Sequence, residues 1–292
     1  MSQVDDIAAR IDSMAMPDVD YRDYFERNQR DVTKLKRIYE FTDELEKRLT
    51  SDDGIDGAKL PFKKTHSRFA FAPGDVTLWS GYNGHYKSMM TGFVALDLIK
   101  QGERVCIASF EMKPTSTILR MARQHCSTKQ AGLDEVGRLM ADVGNNLLLF
   151  DHLGQMPPER LYGVIQYAAK ELGIGHFFID SLMRVIPGED SYNQQKDFIV
   201  QLCRLAIECD CHIHIIHHSR KGDETKPPGR YDAKGSGAIA DNVANSLIVW
   251  ANKQAVPGMP QMLLVVDKQR HGEWEGGLAL KLNHDSLTFS EC

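Results

Sequence analysis

The 292-residue chain has no apolar run near the roughly 20 residues needed to cross a bilayer. Its polar start, MSQVDDIAARIDSM, lacks the basic and apolar regions of a secretory signal. The expectation is a cytoplasmic protein with no membrane partner. The six cysteines, Cys106, Cys126, Cys203, Cys209, Cys211 and Cys292, form no disulfide framework and read as reduced thiols. Positive charge is not in excess either. Thirty-five Lys and Arg against 40 Asp and Glu leave a net charge of −5, so a nucleic-acid site would have to be a local basic strip. There is no internal repeat and no low-complexity segment. What is present is ordinary for a globular protein: 42% apolar and 26% charged residues, in a chain long enough for one large domain or two smaller ones.

Apolar residues in VTKLKRIYEFTDELEKRL recur at Leu35, Ile38, Tyr39, Phe41 and Leu45 and predict an amphipathic helix near 30–48. SDDGIDGAKLP (51–61) reads as a linker, which predicts a small helical N-terminal extension over 1–60 and a core over 61–292. From there strands and helices alternate. DVTLWSG, RVCIASFE, LLLFD, HFFIDSL and CHIHIIHH read as strands. Helices are expected over Ser88–Lys100, from Pro114, over PERLYGVIQYAAKELG and over QQKDFIVQLCRLAIECD. Then NSLIVWANK, QMLLVVDKQR and GGLALKLN follow with little helix between them. The predicted fold class is α/β, a mostly parallel twisted sheet flanked by helices, with antiparallel C-terminal strands.

One stretch carries chemistry outright. GYNGHYKS, Gly81 to Ser88, nearly matches the phosphate-binding pattern G-x-x-x-x-G-K-[ST]. It follows a strand and opens a helix, where loop amides and the positive helix end attract phosphate. Lys87 would reach the β/γ phosphates and Ser88 would supply a hydroxyl to Mg²⁺. Gly81, Asn83, Gly84, Tyr86 and Met89 complete the set expected to touch nucleotide. Tyr86 stands where the pattern has glycine. That place usually demands positive φ, which costs a residue with a Cβ roughly 1–2 kcal/mol. Either the ring swings outward and the site is weakened, or the loop collapses and nucleotide is excluded.

Together with this loop, the chain from about Leu60 onward resembles the RecA-like ATPase core of phage and DnaB-type replicative ring helicases. IASFEM resembles the strand end that carries a general base, here Glu111. FFIDS resembles the second acidic motif, with Asp180 assisting Mg²⁺. IIHHSRK resembles the γ-phosphate sensor, His218 with His217 as the alternative. DAKGSGAIAD resembles a DNA-binding loop and points to Lys234 and Gly235. VDKQRHG resembles the strand whose lysine and arginine finger reach a neighbouring subunit's nucleotide, Lys268 and Arg270. The resemblance implies ATP or another NTP with Mg²⁺, single-stranded DNA, a homo-oligomeric ring of hexameric type, a separate primase or polymerase, and a bacterial or phage-infected host.

The residues also permit plainer readings. Glu111 and Asp180 end apolar strands, where α/β sheets gather ligand chemistry, but each taken alone could be a surface acid. Segment 219–235 offers Arg220, Lys221, Lys226, Arg230 and Lys234 to backbone phosphates, or is a solvated loop. The loop at 184–196 is a second channel candidate with net charge near zero. Cys209-x-Cys211 is too tightly spaced for a usual structural zinc pair. The expected function is an ATP-dependent ring helicase motor. Its alternative is a RecA-like DNA-binding or assembly protein with a degenerate, non-hydrolysing nucleotide site.

Overall fold

A computed structural model describes residues 35–49, 57–188, 191–220, 222–232, 237–256 and 259–292. By internal contacts the chain divides into Met1–Ser51 and Asp52–Cys292. In the first unit a 3-10 turn, Ile38–Phe41, runs into helix α1, Thr42–Leu49. The Arg37 amide donates to Glu40 Oε1 at 3.0 Å and the Thr42 hydroxyl to the Tyr39 carbonyl at 2.7 Å. Ile38, Tyr39, Phe41 and Leu45 are exposed, so the apolar face expected here is present. The start of that predicted helix, residues 30–34, lies outside the described residues.

The second unit is built on one sheet in the order β3-β2-β4-β5-β1-β6-β7-β8-β9. The first six strands in that order are parallel: β1 Val76–Ser80, β2 Val105–Ser109, β3 Leu147–Leu149, β4 His176–Asp180, β5 His212–Ile216 and β6 Asn245–Ala251. β7 Met262–Lys268, β8 Gly276–Asn283 and β9 Thr288–Glu291 then continue antiparallel. This is the mostly parallel sheet with an antiparallel C-terminal extension that the alternation predicted. The helices are α2 Lys87–Lys100, α3 Pro114–Cys126, α4 Leu133–Val143, α5 Pro158–Leu172, α6 Tyr192–Cys209 and α7 Ala238–Asn242. Pro114 and Pro158 open α3 and α5, where a missing N–H costs nothing. Gly173 ends α5 in the left-handed conformation at φ 64°.

Every residue of β1, VTLWS, is buried, as a strand with helices on both faces requires. Trp79 faces one core with Phe71, Val94 and Leu98, while Val76 and Leu78 face the other with Phe177, Ile199 and Leu202. The first core also holds a chain of neutral imidazoles. Trp79 Nε1 can only donate, so His214 Nδ1 accepts at 3.2 Å. His214 Nε2 then donates to His176 Nδ1 at 3.1 Å. His212 Nδ1 donates to the Ala72 carbonyl at 2.7 Å and its Nε2 accepts from Thr77. The Cys-His segment 209–214 is thus used for packing and hydrogen bonding within the strand.

Register positions the site. Trp79 pairs with Ile216, Asp180 with Ile216, and Ser109 with Asp180. The carboxyl ends of β1, β2, β4 and β5 therefore line one rim, where the loops at 81–86, 110–113, 181–184 and 217–220 all emerge.

Candidate active site

The loop after β1 turns on Gly81, φ 150°, where a Cβ would collide with the Val249 carbonyl; only glycine fits so close a backbone. Gly84 follows at φ 74°. Tyr86 occupies the left-handed region, φ 64° and ψ 22°, and its carbonyl accepts the Met90 amide at 2.9 Å, starting α2. The conformation that glycine normally supplies is thus adopted by a tyrosine. Its ring is half-buried against the core and lies 6.2 Å from the His284 ring, outside the loop.

Lys87 is buried, and its Nζ donates to the carbonyls of Gly81 and Tyr82, each at 2.9 Å. Burial pushes the ammonium down to about 8 from 10.5, against the charges of Asp180 and Glu111, which favour it. Both acids expected from the strand ends therefore act on the lysine of the phosphate loop. Burial raises the Asp180 carboxyl above the carboxylate range. The Ser88 hydroxyl bonds to it, Glu111 adds to the rise, and Arg120 and Lys87 oppose it. Glu111 Oε1 accepts from Ser181 Oγ at 3.0 Å and Arg184 Nε at 3.2 Å.

Beside the loop, the His217 amide donates to the Trp79 carbonyl at 2.8 Å and the Ser219 amide to the Gly81 carbonyl at 2.9 Å. His217 is fully buried; His218 is half-buried. The loop tip is fastened to the segment beyond. The Tyr82 hydroxyl donates to the Asp223 carbonyl at 3.3 Å, and His85 Nε2 lies 3.4 Å from the Glu224 carboxylate, which also pairs with Lys253 at 2.9 Å. The Ala251 amide donates to His85 Nδ1 at 3.1 Å.

Of the expected DNA contacts, Arg220 and Lys226 are exposed on this segment. Lys221, Lys234 and Gly235 lie outside the described residues. Lys268 ends β7, and its Nζ donates to the carbonyls of Ala240 at 2.9 Å and of Asp241 and Val243 at 2.8 Å. It thereby caps the carboxyl end of α7 within its own chain, where a cation suits the helix dipole. Arg270 is exposed, with Nη2 3.3 Å from the Asn242 carbonyl. Asn83 is exposed at the loop tip, and Met89 is half-buried in the first turn of α2.

Several contributors escape a reading of motifs. Arg120, on α3, lines a small cavity with Ser88, Ser109 and Asp180, and its Nε is buried without a hydrogen-bond partner. It sits amid an ordinary helical pattern that hides its direction. Tyr82 and His85 occupy wild-card positions of the loop, and Arg184 lies three residues past the motif FFIDS.

A family model described as an AAA domain matches residues 42–224. Among solved structures, the ATPase domain of a helicase superposes with a TM-score of 0.75 at 17% identity, covering 87% of this chain and 98% of that one. A DnaB-like replicative helicase, solved for its interactions with primase, gives 0.73 at 17% identity, over 87% of this chain and 67% of that one. The architecture is that of a RecA-like helicase ATPase domain.

Proposed function

The chain belongs to the AAA-domain family, and from that premise we propose that it is the ATPase motor of a ring-type DNA helicase that moves along single-stranded DNA. The observation that carries this reading is the convergence of Asp180 and Glu111 on Lys87, beside the start of a helix that can receive phosphate. Lys87 exchanges its two loop carbonyls for phosphate oxygens. Ser88 and Asp180 form an all-oxygen donor pair that fits Mg²⁺, and a buried carboxyl held above its usual range is one whose ionised form a divalent cation favours. Bound there, Mg²⁺ would neutralise charge on the phosphates. Glu111 orients and deprotonates the attacking water, and His218 senses the terminal phosphate.

Arg220, Lys221, Lys226, Lys234 and Gly235 hold DNA by its backbone, which gives affinity without base reading. Arg270, and Lys268 once drawn from its α7 cap, serve the nucleotide of an adjacent copy in a head-to-tail ring of hexameric type. Priming falls to a separate chain, in keeping with the primase named beside one structural relative. The setting is the cytoplasm of a bacterium or an infected host.

Phosphate release measured with and without oligo(dT), alongside light scattering with Mg-nucleotide, tests the proposal. DNA-stimulated release from a ring-sized particle is expected. DNA binding with no release from the wild type or from Tyr86→Gly would favour the non-hydrolysing alternative.

A further inference from the structure

The carboxylate assigned to water activation is not free. Both hydrogen bonds to Glu111 Oε1 come from the segment that leaves β4 directly after Asp180. Ser181 is fully buried and fixed. Arg184 ends the 3-10 turn Leu182–Arg184 and stands at the root of the second, less basic rim loop. We infer that Arg184 is a positioning residue that restrains Glu111 until a nucleic-acid phosphate draws the guanidinium away. The inference rests on the motor reading and adds to it the device by which DNA raises turnover.

Three features support it. A carboxylate oxygen that accepts two donors, one of them charged, is a weaker base and is aimed at those donors rather than at water. The pair is also easy to open. The Arg184 and Glu111 side chains are 46% and 40% exposed, and exposed ion pairs contribute only about 0–1 kcal/mol. Finally, guanidinium binds phosphate with the same fork geometry it uses for carboxylate, so a DNA phosphate competes directly for Arg184. The exchange needs only side-chain movement, because the Met156 amide anchors the turn by donating to the Arg184 carbonyl at 3.0 Å. Ser181 keeps its own bond and retains Glu111 beside Asp180.

The test compares wild type, Arg184→Gln, Arg184→Lys and Glu111→Gln. Phosphate release is measured with and without oligo(dT), and amide exchange of residues 182–186 is followed in the full-length protein. Arg184→Gln should raise DNA-free release about two- to fivefold, the range an exposed ion pair can hold back. Its stimulation ratio should fall toward one, while fluorescent-ADP affinity and melting temperature stay unchanged. Exchange should speed up equally in Arg184→Gln and Glu111→Gln, and in wild type on adding oligo(dT). Arg184→Lys should lie between wild type and Arg184→Gln. DNA-free release at or below the wild-type rate in Arg184→Gln, with stimulation intact, overturns the restraint while leaving the motor standing. So does exchange that neither substitution alters. No release from any of the proteins overturns the motor reading, and the restraint with it.

Discussion

The Ser219 amide donates to the Gly81 carbonyl at 2.9 Å, so the segment that departs toward the basic loop is bonded to the first residue of the phosphate loop. Tyr82 with Asp223, and His85 with Glu224, repeat the connection at the loop tip. Movement of either loop is therefore felt by the other.

Glu224→Gln should weaken this coupling without unfolding the protein. Its partners are His85 and an exposed Lys253, so the stability change should stay within about 1 kcal/mol. Nucleotide affinity should hold while stimulation of hydrolysis by oligo(dT) drops. Stimulation kept at the wild-type level would show that the coupling runs elsewhere.

Lys87→Met should stabilise the nucleotide-free protein near pH 7. An ammonium held at about 8 against an ordinary 10.5 represents about 3 kcal/mol of cost, from which two lost carbonyl bonds must be subtracted. The folded group releases its proton first. Wild-type stability therefore rises with pH between 8 and 10.5, and the advantage of the variant shrinks across that window. Urea midpoints for both proteins at about pH 7 and about pH 10 measure the effect. An equal difference at both pH values would contradict it.

Tyr86 separates backbone strain from packing. Tyr86→Ala loses the ring contacts and keeps a Cβ in the left-handed region. Tyr86→Gly loses the same contacts but relieves the strain, by about 1–2 kcal/mol. The expected order of melting temperature has alanine lowest. Because the ring lies outside the loop, fluorescent-ADP affinity should differ little between tyrosine and glycine. A large gain with glycine would mean that the ring obstructs the seat.

The imidazoles of His176, His212 and His214 make the fold acid-sensitive. Burial lowers all three from 6.5, His212 to about 4. Below pH 6.5 the unfolded chain takes up protons that the folded one refuses, so stability falls as pH drops and is unaffected above it. With three such groups the slope reaches up to about 4 kcal/mol per pH unit. Urea midpoints should decline from about pH 7 to about pH 5; a flat profile would contradict this.

Much of this was legible because the signals are local. Glycines and prolines mark the ends of α2, α3 and α5, and fully apolar strands before Gly81 and Glu111 mark the rim. Other elements were not legible. α4, Leu133–Val143, begins without a side-chain cap; its start is held by the Gly132 amide donating to Glu135 at 2.9 Å, a contact that needs the helix already formed. β9 has four residues, too few for a pattern. The bond between Arg184 and Glu111 spans 73 positions and exists only because β2 and β4 are neighbours in register. The ties of Tyr82 and His85 bridge about 140 positions in the same way. Motifs name the groups at the rim, whereas strand order decides which of them touch.

The sheet also ends cautiously at both flanks. One border is β3, three residues long; the other is β9, whose four residues cover the second half of β8 and leave the glycines Gly276 and Gly277 at its start. So little open main chain is a poor template for a foreign strand. Copies that associate must do so side chain to side chain, and a circle closed that way can flex at each joint without tearing a hydrogen-bond ladder.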